Sequence, residues 1–303
     1  MDQKSKIILI SGPTGSGKST FGVKVAKKIN GEIINADSMQ VYKQFNILTA
    51  RPNKKNQKSI KHHLYGFQSV TKKFSTGAWL KLVKKKIHEI QKRDKVPILV
   101  GGTGLYFKSL TEGLVKIPNI PLKFRHKIRL LQKRIGQKKF YQNLIQIDPL
   151  IINKINPNDV QRTIRAFEIK KYTRKSITHW FKKTKILFDP TNFEKIYIDF
   201  SREELIHRIK KRVDQMFNDG VIIEVKNYNR LKVQKDSSSK KIIGIEEISK
   251  LLNGEISLID AKERIFIKTR QYAKRQTTWA RGQMSSWQKI DPKNLNLTLK
   301  KLK

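Results

Sequence analysis

Short runs of hydrophobic residues alternate with longer amphipathic stretches in the first third of the chain. The runs at residues 7–10, 32–36 and 97–100 are rich in Ile, Leu and Val, which is typical of strands buried on both faces. Between them, residues 20–29 and 79–93 repeat their apolar positions at helical spacing. This alternation predicts an α/β fold, in which a parallel sheet carries helices on both faces and places functional groups at the carboxyl ends of its strands.

The pattern changes near residue 115. From 116 to 185 the chain carries 19 Lys and Arg against three acidic residues, with helical periodicity near 121–147 and 159–178. This composition predicts a basic, mainly helical insertion, and we expect it to bind a polyanion.

The strand-and-helix pattern then returns. Residues 195–200 resemble another buried strand, Ser-Arg-Glu-Glu at 201–204 satisfies the capping box that starts a helix, and a further helix is predicted at about 258–281. We therefore predict a discontinuous α/β core made of residues 1–115 and 186–303, interrupted by the insertion at 116–185.

The chain is strongly basic. The 303 residues contain 66 Lys and Arg and 24 Asp and Glu, a formal net charge of +42. Of the basic residues 50 are Lys and 16 are Arg, so compositional drift explains part of the Lys excess, and the Arg positions are the more informative subset.

Two classes of protein are excluded by what the sequence lacks. There is no cysteine, which excludes a disulfide framework, a thiolate nucleophile and a cysteine-ligated metal centre. The longest apolar runs are far shorter than a membrane span, and no signal-peptide pattern precedes the first of them. We expect a cytoplasmic protein with no membrane partner.

One motif carries a specific chemistry. The segment between the first predicted strand and helix satisfies G-x-x-x-x-G-K-[ST], the phosphate-binding P-loop, in the strand–turn–helix context that the motif requires. Its backbone N–H groups bind phosphate oxygens, Lys18 adds a positive charge, and the Ser19 hydroxyl can hold Mg²⁺. The motif consists of Gly12, Pro13, Thr14, Gly15, Ser16, Gly17, Lys18 and Ser19.

Two polar residues follow the other predicted strands. Asp37 stands directly after the second strand, where it is either a helix cap or a catalytic base; the residue type alone does not distinguish the two. Thr103 lies in Gly-Gly-Thr-Gly after the 97–100 strand, which indicates a close backbone approach or a tight turn. No acidic residue follows that strand, and this argues against an ATP-hydrolysing enzyme.

The insertion offers a candidate nucleic-acid contact. Arg162 and Arg165 are three residues apart on a predicted helix, with Gln161 beside them. Such a face can bind phosphates and present an amide to a base edge. A solvated amphipathic helix is the alternative.

Taken together, these segments resemble the tRNA dimethylallyltransferase family, also called tRNA isopentenyltransferases, over nearly the whole chain. Two departures are Gly15, where the family usually has Ala, and Gly-Ile-Glu-Glu at 244–247, which replaces a Gly-Tyr-Arg-Gln-like stretch. The resemblance rests on Gly-Pro-Thr-x-Ser-Gly-Lys-Ser at 12–19, Asn-Ala-Asp-Ser-Met-Gln-Val-Tyr at 35–42, Thr-Ala-Arg-Pro at 49–52, His-His-Leu at 62–64, Val-Gly-Gly-Thr-Gly-Leu-Tyr at 100–106, residues 159–168, and Thr-Arg-Gln-Tyr-Ala-Lys-Arg-Gln-x-x-Trp at 269–279.

The resemblance implies a P-loop NTPase-like core and the transfer of a dimethylallyl group from dimethylallyl diphosphate to the exocyclic amine of the adenosine 3′ of a tRNA anticodon. By this resemblance Asp37 and Thr103 are catalytic, the P-loop and Arg212 bind the diphosphate, and Mg²⁺ is bound at Ser19. It also implies a monomer that contacts the tRNA anticodon stem-loop through Asp37, Ser38, Met39, Gln40, Thr103, Arg125, Gln161, Arg162, Thr163, Ile164, Arg165, Lys241 and Gly244.

Two other functions share part of this pattern. A P-loop small-molecule or nucleoside kinase has the same phosphate loop and an acid after the second strand, but it does not need a chain of this charge. A nucleic-acid-binding NTPase explains the charge but not the pairing of Asp37 with Thr103.

Overall fold

A computed structural model describes residues 6–52, 59–181, 184–234 and 237–301. Within them, six parallel strands form one sheet in the order β3-β2-β4-β1-β5-β6, which confirms the predicted α/β fold. The strands are β1 Ile7–Ser11, β2 Gly31–Asn35, β3 His62–His63, β4 Val96–Gly101, β5 Phe193–Ile198 and β6 Gln288–Ile290.

Helices occupy most of the remaining described chain. Their bounds are α1 Lys18–Lys28, α2 Thr76–Gln91, α3 Gly104–Thr111, α4 Leu122–Ile147, α5 Val160–Thr173, α6 Ile177–Phe181, α7 Arg202–Asn218, α8 Val221–Asn229, α9 Ile245–Leu252, α10 Leu258–Gln283 and α11 Leu295–Lys301.

The centre of the sheet is fully buried because its strands are apolar on both faces. Every residue of β1 and β2 is buried, and α1 packs Phe21 and Val25 against β1 and β4. A Cβ on Gly22 would lie 2.7 Å from a Val100 methyl group, so this glycine lets α1 approach the sheet closely. The carboxyl edge of this buried sheet carries the loops that follow β1, β2 and β4.

Two strands have no counterpart in the sequence prediction. The β3 and β6 strands contain two and three residues, which is too short for a hydrophobic period to be recognised. They lie at the two edges of the sheet, where pairing with one neighbour is enough to define them.

The described chain divides into two compact units. Unit 1 comprises Met1–Thr111 and Phe188–Lys303, and unit 2 comprises Glu112–Leu187. The observed insertion therefore begins four residues before and ends two residues after the expected 116–185. None of the helices within the described residues combines the length and apolar character that a membrane span requires.

Unit 2 has a core of its own. Phe140, Leu144 and Ile151 are fully buried and pack with Phe167 of α5. The long helix α4 is interrupted at Gly136, where φ is 75° and ψ is 166°, a conformation that glycine adopts without a steric penalty. The helix therefore consists of two segments that meet at this residue.

Candidate functional site

The phosphate-binding loop fills the turn between β1 and α1. Gly17 has φ 78°, in the left-handed region, and directly precedes the first residue of α1. The first N–H groups of a helix have no acceptor within it. Ser16 is buried, and its Oγ has no hydrogen-bond partner among the described residues. A phosphate bound here would satisfy both kinds of donor.

Lys18 is held inside this loop. Its Nζ donates to the Pro13 carbonyl oxygen at 3.2 Å. Burial lowers the pKa of Lys18 to about 8; the Asp37 carboxylate opposes this effect, and the Arg212 guanidinium adds to it. The loop thus contains a poorly solvated ammonium group that a diphosphate anion would stabilise.

Helix α7 brings two guanidinium groups to the same loop. Arg212 Nη1 donates to Thr14 Oγ1 at 2.7 Å, whereas its buried Nε has no partner among the described residues. Burial lowers the pKa of Arg212, partly offset by the Asp37 carboxylate. One turn earlier, Arg208 Nη1 lies 3.3 Å from the Gly15 carbonyl oxygen. The sequence motif therefore gains cations from a helix about 190 residues away.

Asp37 occupies the carboxyl end of β2, and a local hydrogen-bond network fixes its backbone. Its N–H donates to Asn35 Oδ1 at 2.8 Å, and Asn35 Nδ2 donates to the Asp37 carbonyl oxygen at 2.9 Å. Its Oδ1 accepts the Met39 N–H at 2.9 Å. No helix starts here, so this contact belongs to a local turn. Of the two alternatives for Asp37, a helix cap or a catalytic base, the structure excludes the helix cap. Within the described residues, no hydrogen bond to the second carboxylate oxygen is observed.

Aromatic side chains surround the Asp37 carboxylate. Burial raises the pKa of Tyr65, Tyr106 and Tyr272, and the negative charge of Asp37 raises it further. These phenols stay neutral at physiological pH, so they can donate hydrogen bonds but carry no charge. Trp79 is fully buried and stacks on Tyr106 at a centroid distance of 4.0 Å, so its ring is part of the core.

The Gly-Gly-Thr-Gly loop after β4 lies against the Asp37 segment. A Cβ on Gly101 would come within 2.1 Å of the Ala36 backbone, so only glycine permits this approach. Thr103 N–H donates to the Ala36 carbonyl oxygen at 3.2 Å, and Thr103 Oγ1 accepts the Ser38 N–H at 2.9 Å. The sequence left a close approach and a plain turn open, and the geometry supports the close approach.

Gln276 of α10 connects the P-loop to the Gly-Gly-Thr-Gly loop. In the sequence it stands out only as part of the 269–279 segment that resembles the family. Its Oε1 accepts the Thr14 N–H and its Nε2 donates to the Gly102 carbonyl oxygen, both at 2.9 Å. Trp279, one turn later, covers Gly104, where a Cβ would lie 2.3 Å from the indole ring. A long-range contact of this kind has no local sequence signal.

Two cavities flank these contacts. A cavity of about 310 Å³ is lined by Thr14, Asp37 and Arg212 on its polar side and by apolar residues that include Leu48, Ile209, Val213, Met216, Ile242 and Ile265. A second, of about 230 Å³, is lined by Gly12, Gly102, Thr103, Gln276 and Trp279, among others. Tyr272 and Arg275 line both cavities.

The residues present fit a Mg²⁺ ion that is shared with a phosphate ligand. Mg²⁺ prefers oxygen ligands and is commonly held by one or two protein groups together with substrate phosphates. Ser19 offers a hydroxyl at the start of α1, and the buried Ser16 hydroxyl has no other partner among the described residues. Those residues contain no cluster of three His, Cys, Asp or Glu, so a protein-only metal cage is not formed by them.

Most other core residues expected at a tRNA contact lie near Asp37. Ser38, Met39 and Gln40 follow it in a partly exposed loop, and Gln40 Nε2 donates to the Thr49 carbonyl oxygen at 2.9 Å. Lys241 is exposed and lines the larger cavity. Gly244, in contrast, is buried, and its N–H donates to Glu247 Oε2 at 3.0 Å.

The two acids of the divergent 244–247 segment are paired with lysines. Glu246 contacts Lys250 at 3.1 Å and Lys268 at 3.0 Å. Glu247 is buried, caps the start of α9 and forms an ion pair with Lys268. The negative charges introduced here are therefore largely neutralised by basic residues of α9 and α10.

The insertion residues divide into exposed and structural groups. Gln161 and Arg162 are exposed, and Arg162 lies 3.4 Å from Asp159. Thr163 and Ile164 are buried, with 0% and 8% of their surface exposed. Arg125 and Arg165 each lie 3.1 Å from Glu168 Oε2, and Arg129 lies 3.8 Å from Glu168 Oε1. One buried carboxylate thus organises three half-exposed guanidinium groups.

The histidine pair at 62–63 is structural. His63 Nε2 lies 2.6 Å from the buried Glu32 carboxylate, and His62 Nδ1 lies 2.7 Å from the Ile60 carbonyl oxygen, within hydrogen-bonding distance. Glu32 also binds Arg93 at 2.7 Å, and these contacts lower its pKa against the opposing effect of burial. This cluster lies at β2 and β3 and joins no part of the phosphate loop.

Comparison with known proteins gives the same assignment along the chain. The family model described as IPP transferase matches residues 40–283. The chain is 62% identical over 303 residues to the tRNA dimethylallyltransferase of Pelagibacter ubique (strain HTCC1062), covering 100% of this chain and 97% of that protein. It is 45% identical over 284 residues to the tRNA dimethylallyltransferase of Rickettsia massiliae (strain Mtu5), covering 93% and 78%.

Solved structures agree with the sequence matches. The full-length tRNA isopentenylpyrophosphate transferase of Bacillus halodurans superposes with a TM-score of 0.70 at 32% identity, covering 98% of this chain and 95% of that one. A eukaryotic dimethylallyltransferase acting on tRNA superposes with a TM-score of 0.81 at 30% identity, covering 95% and 74%. With a family model over most of its length and relatives of this identity, the chain belongs to the IPP transferase family of tRNA-modifying prenyltransferases.

Proposed function

We propose that the protein transfers a dimethylallyl group from dimethylallyl diphosphate to the exocyclic amine of the adenosine immediately 3′ of a tRNA anticodon, releasing diphosphate. The observation that carries this proposal is the cavity of about 310 Å³, which is lined both by Thr14 and Arg212 of the phosphate region and by Asp37. A diphosphate leaving group and a nucleophile that must lose a proton require these two kinds of group at one place.

The reaction forms a bond between the adenine amine nitrogen and the first carbon of the dimethylallyl group, and breaks the bond from that carbon to the diphosphate oxygen. The amine is a weak nucleophile because its lone pair is delocalised into the ring. Asp37 accepts the amine proton as the new bond forms, so that no cationic amine accumulates. Its backbone contacts to Asn35 hold the carboxylate at the strand end.

The diphosphate gains negative charge as it departs. The first N–H groups of α1, the Lys18 ammonium and the Arg212 guanidinium are the donors for that charge, and Arg212 Nε is a buried donor without a partner among the described residues. A Mg²⁺ ion at Ser19 would add further neutralisation of the phosphate oxygens. Because diphosphate is displaced intact, no ATP hydrolysis is involved, in keeping with the absence of an acid after β4.

The anticodon stem-loop is the proposed macromolecular partner. The adenosine has to leave its stack to reach a carboxylate inside a cavity, as in other enzymes that modify a base. Arg162, Gln161 and the guanidinium cluster around Glu168 supply phosphate contacts on the insertion, and Lys241 supplies one at the cavity. We further propose that the enzyme acts as a monomer in the cytoplasm, where its tRNA acceptor is found.

Labelled dimethylallyl diphosphate and unmodified tRNA test the proposal directly. The expected result is transfer of label to tRNA with release of diphosphate, and no label on a matched tRNA with guanosine at the same position. A parallel assay measures phosphate release from ATP. Label transfer that requires ATP, or ATP turnover without label transfer, would contradict the proposal and favour a kinase or an NTPase.

A further inference from the structure

We propose that Gln276 is a positioning residue that couples the phosphate-binding loop to the loop that holds the base, so that donor and acceptor are aligned. This inference rests on the proposed function. In this role Gln276 contacts neither substrate; it acts through the two backbone segments to which it is hydrogen-bonded.

A continuous chain of hydrogen bonds carries the proposal. Arg212 donates to the Thr14 side chain at 2.7 Å, the Thr14 N–H donates to Gln276 at 2.9 Å, and Gln276 donates to the Gly102 carbonyl oxygen at 2.9 Å. The next residue, Thr103, accepts the Ser38 N–H at 2.9 Å, directly beside Asp37. The chain therefore runs from a proposed diphosphate ligand to the neighbour of the proposed base, and Gln276 is its central link.

Steric fit at Gly102 supports the same role. A Cβ at this position would lie 2.3 Å from Gln276 Nε2, a distance that real Cβ atoms essentially never show. Because residue 102 is a glycine, its carbonyl oxygen can approach the Gln276 amide closely. A side chain at residue 102 would therefore displace the Gln276 amide from its contact with this carbonyl oxygen.

The chemistry of the side chain explains why a glutamine suits this position. Its amide presents an acceptor and a donor on one carbon, which matches an N–H on one side and a carbonyl oxygen on the other. A carboxylate of the same length would accept from Thr14 but would face the Gly102 carbonyl oxygen with a second acceptor. Asparagine is one methylene shorter and cannot reach both loops without movement of α10.

Alignment is where such a link affects the rate. Transfer requires the amine, the reacting carbon and the leaving oxygen to be nearly in line, and a misplacement of about 1 Å costs about 10²-fold in rate. Loss of the link should therefore lower kcat while leaving the separate binding sites for diphosphate and tRNA intact. A merely structural residue would instead lower stability and both affinities.

Three variants of the full-length protein test the proposal: Gln276→Ala, Gln276→Glu and Gln276→Asn. Gln215→Ala, which removes an exposed amide bonded to Asp219, is the matched control. We expect each Gln276 variant to lower kcat for prenyl transfer by about 10–100-fold, with the dissociation constants of pyrophosphate and tRNA changed less than threefold. An unchanged kcat, or a loss of pyrophosphate affinity equal to the loss of kcat, would overturn the proposal.

The Gln276→Glu variant provides a pH profile that packing alone would not produce. A protonated carboxyl group again offers one donor and one acceptor, so the ratio of variant to wild-type kcat should rise as the pH is lowered. Dividing by the wild-type rate removes the common titration of the proposed base. A ratio that is constant with pH would show that the hydrogen bond donated to the Gly102 carbonyl oxygen does not determine kcat.

Hydrogen exchange separates this proposal from the proposed function. In wild-type protein, pyrophosphate should slow amide exchange in peptides that cover residues 36–40 and 101–105, and in Gln276→Ala this protection should be lost although pyrophosphate still binds. Protection that persists in the variant would refute the coupling. If wild-type protein transfers no prenyl group and this coupling is still observed, the proposed function fails and the assignment of Gln276 as a link stands.

Discussion

Thr103 Oγ1 accepts the backbone N–H of Ser38 at 2.9 Å and donates to Ser38 Oγ at 3.2 Å. Both hydrogen-bonding functions of this hydroxyl are thereby used to hold the segment that carries Asp37. Thr103, which the family resemblance implies to be catalytic, is thus hydrogen-bonded to the residue that follows the proposed base.

Replacement of Thr103 separates its hydroxyl from its shape. Thr103→Val keeps the shape but removes both hydrogen bonds, so we expect prenyl transfer to fall about 10–100-fold as the Asp37 segment loosens. Thr103→Ser keeps the hydroxyl and should retain most of the activity. The two variants are compared by their steady-state rates at saturating substrate concentrations. Equal rates would contradict a role of the Thr103 hydroxyl in holding the Asp37 segment.

The Asp37→Asn variant tests the base. Asparagine retains an oxygen that can accept the Met39 N–H, so the local fold should be preserved. The transfer rate should fall by about 10²–10⁴-fold, the range for loss of a general base, while tRNA affinity stays nearly unchanged. Single-turnover transfer and filter binding measure the two quantities, and a rate close to that of the wild type would rule out Asp37 as the base.

The lowered pKa of Lys18 predicts a pH dependence of stability. Its pKa is about 8 in the folded protein against 10.5 for an ordinary lysine, so between these pH values the unfolded chain binds more protons. The free energy of unfolding contributed by this group therefore rises with pH across that window, and its burial as an ammonium lowers stability at pH 7.

Lys18→Met should accordingly raise the free energy of unfolding at pH 7 and flatten its rise between pH 8 and 10.5, while it weakens pyrophosphate binding. Urea unfolding of wild type and variant at several pH values, together with pyrophosphate titrations, measures both effects. Parallel pH profiles for the two proteins would contradict the assignment.

Arg162 should bind tRNA without stabilising the insertion. Its side chain is exposed, and the 3.4 Å ion pair with Asp159 is its one ionic contact among the described residues. We expect Arg162→Ala to weaken tRNA binding by roughly 1–3 kcal/mol and to reduce the slope of log affinity against log salt by about one. Lys84→Ala, an exposed site on α2, is the control for undirected charge. Equal losses for both variants would mean that total charge, and not this position, binds the tRNA.

Substitutions at two glycines compare a site of close backbone contact with a site where an added side chain meets no atom. Gly101→Ala would place a Cβ 2.1 Å from the Ala36 backbone, whereas Gly282→Ala meets nothing within 4 Å. Overpacking typically costs 1–3 kcal/mol, and a backbone partner cannot move aside as a side chain can, so Gly101→Ala should lower stability by about that amount or more. Gly282→Ala, within α10, should be neutral or slightly stabilising. Thermal unfolding of both variants measures the difference.

The strands and the phosphate loop could be predicted from sequence because each depends on contiguous residues. Ile7–Ser11 and Val96–Gly101 are recognisable from their apolar composition alone, and the loop from its spacing. Contacts across long sequence separations could not be predicted in this way. Gln276 lies 262 residues from Thr14, and only the folded sheet and the path of α10 bring them together.

The burial of individual side chains could not be predicted from the sequence either. Thr163 and Ile164 share a segment with Arg162 but face the interior of unit 2. Helical periodicity predicted a basic face, but it did not reveal that Glu168 would be buried and would hold Arg125 and Arg165. The partner of a charged side chain depends on how two helices pack, and the pattern within one helix does not contain that information.

The position of β1 in the sheet imposes an order of assembly as the chain leaves the ribosome. The first strand is paired on one side with Val96–Gly101 and on the other with Phe193–Ile198. Its pairing with Phe193–Ile198 must therefore wait until residue 198 has been synthesised, whereas the contacts inside residues 112–187 are available earlier. The nascent amino-terminal half consequently exposes an apolar strand edge during translation, and slow, non-local pairing of this kind makes the growing chain a natural client for chaperones.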